Sequence, residues 1–192
     1  MGATDSLSYF LPELILVGTV LAIFVGDLLV RDKEWLGLLA LVGVVASLLL
    51  VAVMSRAGDT SLFHRMVVHD QFATFFKVLF ALATAATVWM SLGSREIERT
   101  QAGEYYGLLL SSTVGMYVMA SATNLLMAYL SLEFVSLTSY VLTGFLRHDR
   151  RSGEASLKYL IYGGVASGTM IYGMSWIFGL AGSMDYGAIN QE

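Results

Sequence analysis

The stretch NLLMAYLSLEFVSLTSYVLTGFLRHDRRSGEASLKYLIYGGVASGTMIY, Asn124 to Tyr172, sets two ionisable side chains, Glu133 and Lys158, inside otherwise apolar helical segments. Around it, the 42 residues from Tyr105 to Leu146 carry Glu133 as their only formal charge. As a single helix that run would measure about 63 Å at ~1.5 Å per residue, roughly twice a ~30 Å hydrocarbon core. It must therefore turn once. The small polar cluster Ser121, Ala122, Thr123 and Asn124 is the natural place, because those side chains cap backbone groups that a turn frees. Glu133 then falls near mid-membrane, where a carboxylate is costly and is normally found facing a partner, water or a proton path.

At about 100° per residue, Tyr129, Ser136, Tyr140 and Thr143 share one helical stripe with Glu133. On the next segment Lys158, Tyr162, Thr169 and Tyr172 form a second stripe, interrupted by Val165 and ending at Trp176. Two hydroxylated faces predict a hydrated seam; the plainer alternative is that the hydroxyls only pack or hydrogen-bond between helices. Counted along the helices, Glu133 lies about 14 Å from the surface at Asn124, and Lys158 about 10 Å from the opposite surface at Arg151. That offset is too long for a direct ion pair but suits one or two waters with a tyrosine hydroxyl. A proton relay with Glu133 and Lys158 as its titrating groups is the expectation.

Of the 192 residues, 56% are hydrophobic and 14% charged, against about 25% charged in soluble domains, so the chain is read as an integral membrane protein. A net charge of -4 without a basic block excludes a nucleic-acid partner. The absence of cysteine excludes disulfides, thiolate metal sites, cysteine nucleophiles and thiolate-held iron–sulfur clusters. Nineteen glycines against one proline suit close-packed membrane helices.

Six segments follow in order. The first, Tyr9 to Val30, has Pro12 in its first turn, where a missing backbone donor costs little. Glu13 and Asp27, near its ends, are read as interfacial carboxylates. Asp5 precedes it with no lysine or arginine and no cleavage pattern follows, so it is expected to remain as an anchor. The second, Trp35 to Met54, is uncharged, and Trp35 suits the interfacial aromatic belt. In the loop Ser55 to Gln71, His64 and His69 lack the i, i+4 spacing and the acidic or cysteine companion of a metal site, so they are read as surface histidines. The third segment, Phe72 to Leu92, contains Lys77, read as an anchor that snorkels to the headgroups.

The loop Gly93 to Glu104 alternates charge through Arg95, Glu96, Glu98 and Arg99 and reads as a solvated connector. Segments four and five lie on either side of the turn at Ser121–Asn124. The basic loop Arg147 to Glu154 leads into segment six, Ser156 to Leu180, where Gly164 and Gly168 predict a close helix contact. Lys33, Arg31, Arg95, Arg99, Arg147, Arg150 and Arg151 occupy the loops after segments one, three and five; Arg56 and Arg65 alone lie on the other side. The excess puts the first set in the cytoplasm and both termini outside. The expected fold is all-α: a polytopic transmembrane bundle of about six helices.

The run from Glu104 to Ser183, with LSLE at Leu130–Glu133, RRS at Arg150–Ser152 and EASLKY at Glu154–Tyr159, closely resembles subunit N of bacterial respiratory complex I, a proton-translocating NADH-quinone oxidoreductase. LPELIL at Leu11–Leu16 resembles the start of that subunit. The resemblance implies an antiporter-like subunit in which Glu133 couples to lysines along a hydrated axis and Lys158 contributes near the cytoplasmic side. It implies a multi-pass protein of the bacterial inner membrane, partnered by other membrane subunits and lipid. No cofactor or metal is expected on this chain; NADH and a quinone such as ubiquinone would be used by the whole complex, and the chain alone is not expected to be catalytic.

Family members have many more helices, in inverted repeats that each contain a broken helix with a lysine. By that pattern residues 1–104 hold three leading helices, 105–180 the first three of an incomplete repeat, and 181–192 the tail of a partial chain. Two alternatives stand beside this reading: a subunit of a multi-subunit sodium/proton antiporter, and a structural bundle whose charges serve packing alone.

Overall fold

The computed structural model describes residues 7–29, 33–55, 60–63, 66–94 and 101–190. Six long helices follow one another: α1 (Leu11–Leu29), α2 (Glu34–Met54), α3 (Gln71–Leu92), α4 (Ala102–Ala120), α5 (Leu125–Thr143) and α6 (Arg150–Ala181), with a short α7 (Tyr186–Ile189) after them. The protein is an all-α polytopic membrane protein. α1, α3 and α5, and α2 from Trp35 onward, are long and apolar enough to span a bilayer. α4 is less apolar because it sits in the middle, packed on α1, α2, α3 and α5, where Thr113 and Tyr117 meet protein instead of lipid.

The core joins the first four helices. Leu16 and Ile23 of α1, Leu36, Ala40, Val44 and Val51 of α2, Ala81 and Val88 of α3, and Leu110 and Tyr117 of α4 form one buried cluster. α6 stands apart from it, packing chiefly along α5, and Met174 is its one buried residue.

Helix starts are set by side-chain caps. Asp70 accepts from the Ala73 amide at 2.7 Å, and Asn124 from the Leu126 amide at 2.8 Å. Asp149 accepts from the Arg151 amide at 2.9 Å. This last cap starts α6 at Arg150, so most of the expected loop Arg147–Glu154 is helix, its first turns extending the segment predicted from Ser156.

The expected turn at Ser121–Asn124 is present and does more than reverse the chain. The connection read as a plain loop contains a two-stranded antiparallel hairpin, β1 (Thr60–Leu62) and β2 (Val67–His69). The hairpin docks on that turn: the Val68 amide donates to the Ser121 carbonyl at 2.7 Å and the Thr123 amide to the Met66 carbonyl at 3.1 Å. On the turn's other side the Leu125 amide bonds the Met184 carbonyl, and the Asn124 side-chain amide bonds Asp185 at 2.9 Å. Tyr9 packs on His69, and Phe10 on Phe63. The start of α1, the hairpin, the α4–α5 turn and residues 184–186 thus share one end of the bundle, called here the hairpin face. The opposite end carries the ion pairs Asp27–Lys33 and Glu104–Arg147 and the Tyr105–Phe145 ring contact. His64, Arg31, Arg56, Arg65, and the alternating charges Arg95 to Arg99 lie outside the described residues.

Candidate functional site

α5 turns its hydroxylated stripe toward α6. Tyr129 and Tyr140 are buried there, Glu133 and Ser136 partly so, and Thr143 is exposed at the end. The Glu133 carboxylate accepts a short hydrogen bond from the Ser167 hydroxyl of α6. Ser167 Oγ lies 2.7 Å from the Tyr129 hydroxyl. Since Ser167 gives its single proton to Glu133, Tyr129 must be the donor to Ser167. The result is a directed chain, Tyr129 to Ser167 to Glu133, that crosses the seam twice.

About two turns toward the other end, Tyr140 stacks edge-on against Tyr159 at 4.7 Å, and Ser139 Oγ reaches the Tyr159 hydroxyl at 3.4 Å. Ser156 donates to the Tyr140 carbonyl and Ser152 to the Thr143 carbonyl, both at 2.8 Å. Ser152 thereby caps the Thr143 carbonyl at the end of α5, while Ser156 adds a second donor to the Tyr140 carbonyl, which already accepts the Gly144 amide.

The face that α6 offers is not the expected one. Ser156, Tyr159, Gly163 and Ser167 face α5, whereas the stripe Lys158, Tyr162, Thr169 and Tyr172 lies on the far side. Tyr162 is 77% and Tyr172 64% exposed. Thr169 bonds its own helix at the Val165 carbonyl, and Tyr172 touches only Trp176 among the rings. The two predicted stripes therefore do not meet. Lys158, its side chain 67% exposed, pairs with Glu154 one turn back at 2.6 Å. Glu133 instead sits at the level of Ser167, nine residues farther along α6 and so about 13–14 Å away along its axis. One or two waters do not bridge that length, which corrects the expected spacing between the two groups.

The tight contact is also one residue off. Gly164 and Gly168 face open space, and it is Gly163 that lies against the Tyr140 hydroxyl, so closely that a methyl group there would collide with it. Gly163/Ser167 and Gly164/Gly168 have the same i, i+4 spacing, so periodicity could not choose between them. The row of small residues Ser156, Gly163 and Ser167 was the signal that pointed to the contact face.

Three other residues depart from their sequence readings. Glu13 and Lys77 do not lie at the interface. They form an ion pair inside the first four helices, Nζ 2.6 Å from Oε1, with exposures of 0% and 4%. The enclosing helices leave the lysine stem no route to the headgroups. His69 is buried, with Nε2 3.0 Å from the Met54 carbonyl at the end of α2. Asp27 pairs with Lys33 at 2.8 Å. No group of metal-ligating side chains occurs among the described residues.

A bundle of long apolar helices that holds a carboxylate in a hydroxyl-lined seam defines a class: polytopic membrane proteins with a carboxylate held between their helices. Residues 122–192 match the family described as NADH:quinone oxidoreductase/Mrp antiporter, transmembrane. The chain is 44% identical over 181 residues, 91% of its length, to NADH-quinone oxidoreductase subunit N of Anaeromyxobacter sp. strain Fw109-5, and 45% identical over 174 residues, 90% of its length, to subunit N 2 of Rhizobium meliloti strain 1021. It spans about a third of those relatives, 34% and 36% of their lengths. The resemblance to subunit N of bacterial complex I thus holds across the chain.

The fold recurs in respiratory complex I from Thermus thermophilus with bound aureothin, at TM-score 0.79 and 23% identity over 92% of this chain and 38% of that one. It recurs too in the archaeal membrane-bound sulfane sulfur reductase, at TM-score 0.82 and 15% identity over 96% of this chain and 39% of that one.

Proposed function

We propose that this chain supplies part of a proton-translocating membrane subunit of an NADH-quinone oxidoreductase, with Glu133 as its titrating group. The observation that carries the reading is the hydrogen-bonded chain from Tyr129 through Ser167 to Glu133, set in the seam between α5 and α6. Such a chain can hand a proton to a carboxylate and, with its hydroxyls rotated, take one away. The relatives' names supply the enzyme class.

In this reading all six long helices cross a bacterial inner membrane, with the hairpin face outside. The chain assembles with other membrane subunits. NADH and quinone are handled elsewhere in the complex, and no cofactor is bound here. Lys158, with Tyr162, Thr169 and Tyr172, lies on the uncovered face of α6, away from the Glu133 chain. A sodium/proton antiporter subunit would use the same carboxylate, and the family description covers both, but the named relatives over the whole chain are oxidoreductase subunits.

The test is Glu133→Gln in the assembled complex, which keeps shape and hydrogen bonding but removes titration. Proton pumping and coupled quinone reduction should fall together toward background while assembly survives, and Lys158→Ala should be milder. Wild-type pumping per NADH oxidised in Glu133→Gln would make Glu133 a structural carboxyl.

A further inference from the structure

The ion pair Glu13–Lys77 is used by nothing described above, and it is better buried than Glu133. It lies between α1 and α3, with Tyr117 of α4 and Ser47 of α2 closing round it. Tyr117 is fully buried, interacts electrostatically with Glu13, and its hydroxyl is 3.5 Å from Ser47 Oγ. Ser47 itself donates to the Pro12 carbonyl at 3.0 Å, next to Glu13 in the chain. Glu13 Oε2 has no hydrogen-bond partner among the described residues.

The surroundings are asymmetric along the bundle. Toward the hairpin face, Tyr9 precedes Glu13 by one turn, and its ring meets that of His69, centroids 5.7 Å apart, at the entrance to α3. Tyr9, His69 and Tyr117 are the titratable groups that the packed elements bring near the pair. Toward the other end lies the buried Thr84–Thr113 pair, 2.8 Å apart. Beyond it Val88 and Leu110, both fully buried, separate it from Ser91 and Tyr106.

We propose that Glu13, with Lys77 as its fixed counter-charge, is a second proton-binding site in the bundle, exchanging with water on the hairpin face past Tyr9 and His69. A staple alone is a weak reason for such a pair, because a buried ion pair can often be replaced by apolar residues without loss of stability. An intramembrane ionisable group one helical turn from Tyr9 at the hairpin face fits an exchange site better. In loading, a hydronium ion at the hairpin face gives up its proton, an O–H bond forms at Glu13 Oε2, and the pair passes from neutral to singly positive. Unloading reverses this. No other bond changes.

The test is infrared difference spectroscopy of the full chain in lipid bilayers between alkaline and acidic medium, which does not depend on pumping. Acidification should produce a buried protonated-carboxyl stretch that is lost in Glu13→Gln and in the charge-free pair Glu13→Gln/Lys77→Met, and that persists in Glu133→Gln. Coincident spectra of the native chain and the Glu13 variants in that region would show a permanently ionised staple and overturn the proposal. Should both Glu13 variants fail to fold, the Glu133→Gln chain still decides: absence of any titrating buried-carboxyl band there would also overturn it. Failure of this site leaves the Glu133 reading untouched, because that reading stands on pumping by the complex.

Discussion

At Glu133 a single hydroxyl carries the geometry. Ser167 is the only side chain that hydrogen-bonds the carboxylate among the described residues, and it also receives Tyr129. A hydrogen bond to a charged group contributes about 1.5–3 kcal/mol. Ser167→Ala should therefore lower pumping by the assembled complex several-fold, less than Glu133→Gln, because water can enter the space of the lost hydroxyl. Tyr129→Phe should fall between wild type and Ser167→Ala, since it leaves the Ser167–Glu133 bond in place. Proton flux per NADH oxidised, compared across the three, checks the order; a Ser167→Ala subunit as active as wild type would remove Ser167 from the path.

α6 touches the rest of the bundle through one narrow row, and this makes its packing easy to break at one position and insensitive at the next. A β-branched side chain at Gly163 meets the Tyr140 hydroxyl, whereas at Gly164 it meets nothing within 4 Å. Gly163→Val should cost about 1–3 kcal/mol as overpacking and lower the thermal midpoint of the purified chain, while Gly164→Val should leave it nearly unchanged. Equal midpoints for the two would mean that α5 and α6 do not pack as described.

For the whole molecule, the distribution of loops is the testable property. The hairpin, the α4–α5 turn and residues 184–186 are bonded to one another, so they must share a side of the membrane, and the start of α6 lies at the other end. The lysine and arginine excess assigns that other end to the cytoplasm. Because the chain has no cysteine, single cysteines report cleanly. Ser183→Cys should react with an impermeant thiol reagent added to sealed cells, and Ser152→Cys only after lysis. The reverse pattern would invert the orientation, and reaction of both from outside would break the six-crossing topology.

Composition and charge spacing by themselves determined the membrane class, the order of six helices and the turn at Ser121–Asn124, because a run of 42 residues with one charge admits few folds in a bilayer ~30 Å thick. They also singled out Glu133 and the stripe it shares with Tyr129, Ser136, Tyr140 and Thr143, since a lone carboxylate in such a run stands out. What they could not decide was pairing across helices. Whether α6 meets α5 through Gly163 or Gly164 is a rotation of about 100° that leaves the spacing of small residues unchanged, and the contact with Tyr140 settles it. Glu13 and Lys77, 64 positions apart, each read as an interfacial charge near a helix end. Only the closure of four helices around them removed water from both and made them partners, because burial depends on which helices become neighbours and not on the position of a residue along its own helix.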